Sequence, residues 1–85
     1  MKYSTGTTFY MTPPEVIDNL FRIANELNLY NVERKIAGIS FEGSEQDFSN
    51  FKTNVEKFLR MDVEFPILTI TFYDESGFLG SLRKK

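Results

Sequence analysis

The sequence contains no cysteine, no histidine and no tryptophan. Without cysteine there is neither a disulfide nor a thiolate metal site. Without histidine the chain lacks the commonest general base, the commonest transition-metal ligand and the ordinary switch at physiological pH. Glycine is sparse and scattered, at positions 6, 38, 43, 77 and 80, so there is no glycine-rich loop to cradle a phosphate. Neither sign of charge dominates: a formal net charge of −2 supplies no bulk attraction for nucleic acid or an anionic membrane. Apolar runs are short, well below the roughly 20 residues of a membrane-spanning helix. The opening Met-Lys-Tyr-Ser-Thr-Gly lacks the apolar stretch of a signal peptide. The expected compartment is the cytoplasm.

What the chain has instead is aromatic side chains, nine Phe and four Tyr in 85 residues. A chain of this length forms one domain and buries only about 60% of the surface its unfolded form exposes. Large rings are an economical way to fill so small a core.

The pattern centres on residues 66–73, Pro-Ile-Leu-Thr-Ile-Thr-Phe-Tyr. Leu68, Ile70 and Phe72 alternate with Thr69, Thr71 and Tyr73, which predicts a strand with one face in the core and the other toward solvent. Pro66 stands at its first position, where a missing N–H is tolerated. Residues 3–11 read as another strand, with Tyr3, Thr5, Thr7, Phe9 and Met11 on one face and Ser4, Gly6, Thr8 and Tyr10 on the other. Thr5-Gly6 also fits a tight turn that would make this stretch a hairpin.

Thr12-Pro13-Pro14-Glu15 has the form of a capping box with proline at the first helical position. The helix it opens runs to about Asn28, with Val16, Ile17, Leu20, Phe21, Ala24 and Leu27 as its apolar stripe. Asn28 to Lys35 reads as a connection, since Asn tolerates the left-handed backbone at a helix end. Residues 36–42 form a second strand with Ala37, Ile39 and Phe41 inward and Gly38, Ser40 and Glu42 outward. Ser44-x-x-Asp47 starts another helix, whose stripe is Phe48, Phe51, Val55, Phe58 and Leu59, ending near Met61. After the 66–73 strand, Asp74-Glu75-Ser76-Gly77 is a polar turn, and residues 78–82 return as an antiparallel strand ahead of Arg83-Lys84-Lys85.

The expected order is β-α-β-α-β-β, an α/β (α+β) two-layer sandwich. Two helices pack on one face of a three- or four-stranded mixed sheet, because the half-polar strands leave the other face bare. A ferredoxin-like arrangement is the alternative, but the strand pair it needs between the helices would take more than the seven or eight residues of 35–42.

Catalytic chemistry has little to work with. Hydroxyl nucleophiles lack a neighbouring histidine, and no acidic spacing matches a calcium loop. Glu42, Glu45 and Asp47 fall at a helix start and Asp74 and Glu75 at a turn, where acids ordinarily stand, while Asp62 and Glu64 precede the central strand. No catalytic residue, metal or cofactor is expected. The candidate working surface is the bare sheet face, with Thr8, Tyr10, Ser40, Thr69, Thr71 and Tyr73 as partner-binding residues. Interface cores are depleted of charge and enriched in Tyr, so the expected function is a non-enzymatic protein-binding, adaptor or inhibitor module that also admits a homodimer. The alternative is a single-stranded nucleic-acid binder that stacks bases on Tyr10 and Tyr73 and uses the basic end Arg83, Lys84 and Lys85. Tyr30, Phe78 and Leu79 are apolar residues that the core pattern does not absorb.

Overall fold

The computed structural model describes residues 1–7, 14–60 and 69–83. In chain order they form β1 (Lys2–Thr7), α1 (Pro14–Glu26), β2 (Tyr30–Arg34), β3 (Ile39–Glu42), α2 (Glu45–Arg60), β4 (Thr69–Asp74) and β5 (Gly77–Arg83). The strands make one sheet in the order β2-β3-β1-β4-β5, and every neighbouring pair is antiparallel. The expected α+β class with two helices holds, while the mixed sheet of three or four strands is corrected to a five-stranded antiparallel one. The first six elements follow the split β-α-β connectivity of ferredoxin-like domains, and β5 extends the sheet beyond β4. Strands β1 and β2 do run parallel, but β3 lies between them.

The correction turns on β2. Residues 28–35 were expected as a connection, yet five of them form a strand against β3. Only Val32 is even half-buried, and a strand at the sheet edge with one inward residue leaves no alternation to read. Asn31 takes a left-handed φ of 49°, and the register slips between Tyr30 and Glu33, a bulge that breaks the period further. Strand β3 correspondingly begins at Ile39 and not at Ile36, which is 98% exposed in a turn closed by Lys35 N–H donating to the Gly38 carbonyl.

Both helices cover the same sheet face. From α1 come Val16, Ile17, Leu20, Ile23 and Ala24, and from α2 Phe51, Val55, Phe58 and Leu59. They meet Tyr3, Ile39, Phe41, Ile70 and Phe72 of the sheet in one buried cluster. Rings knit its α2 half: Tyr3 stacks on Phe48 at 4.6 Å, Phe41 lies 4.7 Å from Phe51, and Phe72 meets Phe48 edge-on at 5.6 Å. Such pairs add about 0.5–1.5 kcal/mol each beyond the area they bury.

The helix ends follow local chemistry. Asn28 stops α1 with φ 56°, and Leu29 N–H then reaches back to the Ala24 carbonyl, the wrap of a left-handed C-terminal cap. At the start of α2, Asp47 N–H donates to Ser44 Oγ while Ser44 N–H donates to Asp47 Oδ2, a reciprocal box with Asp in the usual Glu position. Thr12 and Pro13 of the box expected before α1, the Pro66–Leu68 lead into the central strand, and Lys84 with Lys85 fall outside the described residues.

Candidate functional site

The register of the sheet places the residues of the face opposite the helices in rows. One row crosses all five strands, from Glu33 through Ser40, Ser4 and Tyr73 to Phe78. The next holds Gly6, Thr71 and Ser81, and a third pairs Thr69 with Arg83. On the other side of the long row lie Tyr30, Glu42 and Lys2. Among the described residues the middle of the face is therefore free of charge, and the charged side chains Glu33, Glu42, Lys2 and Arg83 stand at the rim.

Of the expected surface residues, the structure brings Ser40, Thr69, Thr71 and Tyr73 onto this face, while Thr8 and Tyr10 lie outside the described residues. The four differ in access. Ser40 and Thr71 are closed off at 3% and 7% exposure, Thr69 is half-buried and Tyr73 is open. Ser40 Oγ has no hydrogen-bond partner. Gly38, expected outward on this face, is instead buried, with Thr5 where its side chain would begin.

Tyr73 leans across Gly6, its Cε2 3.4 Å from where a Cβ at position 6 would stand. On its other side it meets Phe78 edge-to-face at 6.4 Å and 70°. Phe78 is 67% exposed. The sequence pattern left Phe78 without a place, although the turn contained the signal. Asp74 Oδ1 accepts the N–H groups of Ser76 and Gly77, and Gly77 has φ +123°. This tight hairpin sets Phe78 opposite Tyr73. The same logic puts Ser81 and Arg83 on the face opposite the helices.

The rim charges are largely occupied within the chain. Lys35 Nζ lies 3.0 Å from Glu33 Oε2, and this hydrogen bond holds the Glu33 carboxyl below its usual range. Asn31 Nδ2 donates to Glu42 Oε2. The acids Glu45, Asp47, Asp74 and Glu75 gather around buried Tyr3, whose phenol is pushed above its ordinary pKa by burial first and by those carboxylates second. Among the described residues no three of them converge as a metal site, and no helix is long and apolar enough to cross a membrane.

No protein-family model, curated protein or solved structure matches this chain. The functional reading therefore rests on the surface itself.

Proposed function

We propose that this chain is a small, non-enzymatic protein-binding module, an adaptor or inhibitor, that engages its partner through the uncharged strip of the bare sheet face. Tyr73 and Phe78 are its anchors. The observation that carries the reading is the distribution of charge among the described residues: none through the middle of the face, and four charged side chains at its margin. Interface cores have that composition, with aromatic residues enriched inside a polar rim. The two rings already touch, so they offer a preorganised apolar contact with little further entropy to lose on binding.

The test is capture of the partner from the native host by wild-type protein, followed by affinity measurement with Tyr73→Glu/Phe78→Glu and with a helix-layer control, Lys57→Glu. The face variant is expected to bind at least about tenfold more weakly, as aromatic anchors do when removed, and the control to bind as wild type. Undiminished binding by the folded face variant would overturn the reading.

The nucleic-acid alternative, which rests on Tyr10, Tyr73 and the basic end, finds less support, since of its two rings only Tyr73 lies among the described residues. Lys2 and Arg83 share the described rim with Glu33 and Glu42, which breaks any continuous basic track for a backbone. Oligonucleotide binding at low salt that weakens steeply as salt rises would favour it.

A further inference from the structure

The two exposed rings stand beside the acidic end of the sheet. Tyr73 runs directly into Asp74 and Glu75, and Phe78 leaves the same turn on its other side. Glu45 and Asp47, at the start of α2, lie close enough to add their charges to those of Asp74 and Glu75 around Tyr3. Lys2, whose backbone N–H donates to Glu75 Oε1, offsets one of these charges and leaves the end negative. Among the described residues none of the four carboxylates takes part in an ion pair. Backbone N–H groups hold three of them instead: those of Ser76 and Gly77 bond Asp74, that of Lys2 bonds Glu75, and that of Ser44 bonds Asp47. Such bonds fix a carboxylate in place without neutralising it.

The rings supply the other half of a cation's surroundings. A π face is electron-rich and attracts positive charge. Tyr73 and Phe78 meet in a corner, with centroids 6.4 Å apart and planes at 70°, and not in a stack that would hide both faces. Their exposures, 38% and 67%, leave room for a side chain against them. An apolar pair under a negative potential selects for charge as well as for shape. Arginine fits such a corner better than lysine does. Its guanidinium is flat and weakly hydrated, so it stacks on a ring while its N–H groups still reach a carboxylate.

We propose that the Tyr73–Phe78 corner receives an arginine side chain of the protein partner, with its guanidinium against the rings and Asp74 and Glu75 as the charges that draw it there. The inference rests on the reading of this face as a protein-binding surface. It deepens that reading by naming the chemistry the partner carries at the anchor point.

The test is calorimetric titration of the full chain at low salt with hexa-arginine and with its neutral analogue, hexa-citrulline. Three variants accompany wild type. Tyr73→Leu/Phe78→Leu removes both π faces and keeps apolar bulk. Glu75→Gln removes one charge and keeps an acceptor for Lys2 N–H. Glu15→Gln removes a charge from α1, away from the corner. Wild type is expected to bind hexa-arginine, and hexa-citrulline at least about tenfold more weakly. The double leucine variant is expected to bind hexa-arginine about fivefold or more below wild type, Glu75→Gln about two- to fivefold below it, and Glu15→Gln as wild type. Absence of hexa-arginine binding overturns the proposal, and so does equal binding of hexa-citrulline. So does wild-type affinity in a double leucine variant that is folded by circular dichroism, because the carboxylates then act without the rings. If hexa-arginine fails while the captured partner still loses affinity for Tyr73→Glu/Phe78→Glu, only this inference falls and the protein-binding reading stands.

Discussion

Replacing Gly38 with alanine is a severe test of the packing at the centre of the sheet. A Cβ at position 38 would stand 2.3 Å from the Thr5 carbonyl oxygen and 2.4 Å from Thr5 Oγ1. Both atoms belong to β1, the middle strand, whose backbone is held on one side by β3 and on the other by β4. The side chain cannot swing aside to solve the conflict, because the nearest atom is main chain. Strand β3 must retreat instead, and retreat stretches a second interaction: Ile39 N–H donates to Thr5 Oγ1 at 3.0 Å in a buried setting. Overpacking of this kind costs about 1–3 kcal/mol, and an orphaned buried N–H costs about 1–3 kcal/mol more. A domain of 85 residues has about 4–13 kcal/mol in all, so a loss of about 2–6 kcal/mol is a large part of it. The assay is urea unfolding followed by circular dichroism, with Thr5→Val as the companion. That variant keeps the shape and removes only the acceptor, so it is expected to lose about 1–3 kcal/mol, less than Gly38→Ala. An alanine at 38 that shifts stability by less than about 0.5 kcal/mol, the range of an ordinary surface change, would refute the close approach of β3 to β1.

Two further outcomes follow from local features. Ser44→Ala removes the acceptor for Asp47 N–H at the start of α2 and should lower stability by about 1 kcal/mol in the same assay, whereas Ser49→Ala, further along the helix, should not. Tyr3 should ionise at higher pH than an ordinary tyrosine in an ultraviolet absorbance titration, because burial holds its folded-state pKa above the ordinary 10.0. The unfolded chain then gives up this proton first. The stability linked to Tyr3 is therefore fully present below about pH 10 and is lost as pH rises through the folded value; a Tyr3→Phe variant should show less of this alkaline loss.

The helices and the inward sides of the central strands were legible because burial enforces a period. Val16, Ile17, Leu20 and Ala24 recur at helical spacing, Ile70 alternates with Thr71, and Ile39 with Ser40, and each inward residue named is buried. The edge strand β2 resisted reading for the opposite reason. Tyr30–Arg34 buries almost nothing and bulges, so its residues answer to hydrogen bonding with β3, which leaves no mark in hydropathy. Missing that strand also misjudged the connectivity, since β2 and β3 are the pair between the helices. The face was legible in its β4 half, where Thr69, Thr71 and Tyr73 share a side, and not in its Phe78 half. The side on which Phe78 stands depends on the turn geometry at Asp74 and Gly77 and on the register shift across from Tyr73.

The place of β1 also dictates when this domain can fold. It is the first of the five strands made, yet it takes the middle position, with Tyr3 paired to Phe41 on one side and to Asp74 on the other. Neither flank exists when β1 leaves the ribosome, and the second arrives only with β4, after both helices. Pairing across so much sequence carries its entropy cost before any reward, and slows folding accordingly. Until Asp74 emerges, β1 has an unsatisfied flank that a neighbouring nascent chain can reach. Synthesis of β1 and completion of its sheet are thus separated in time, and the native sheet closes only after nearly all of the domain has been made.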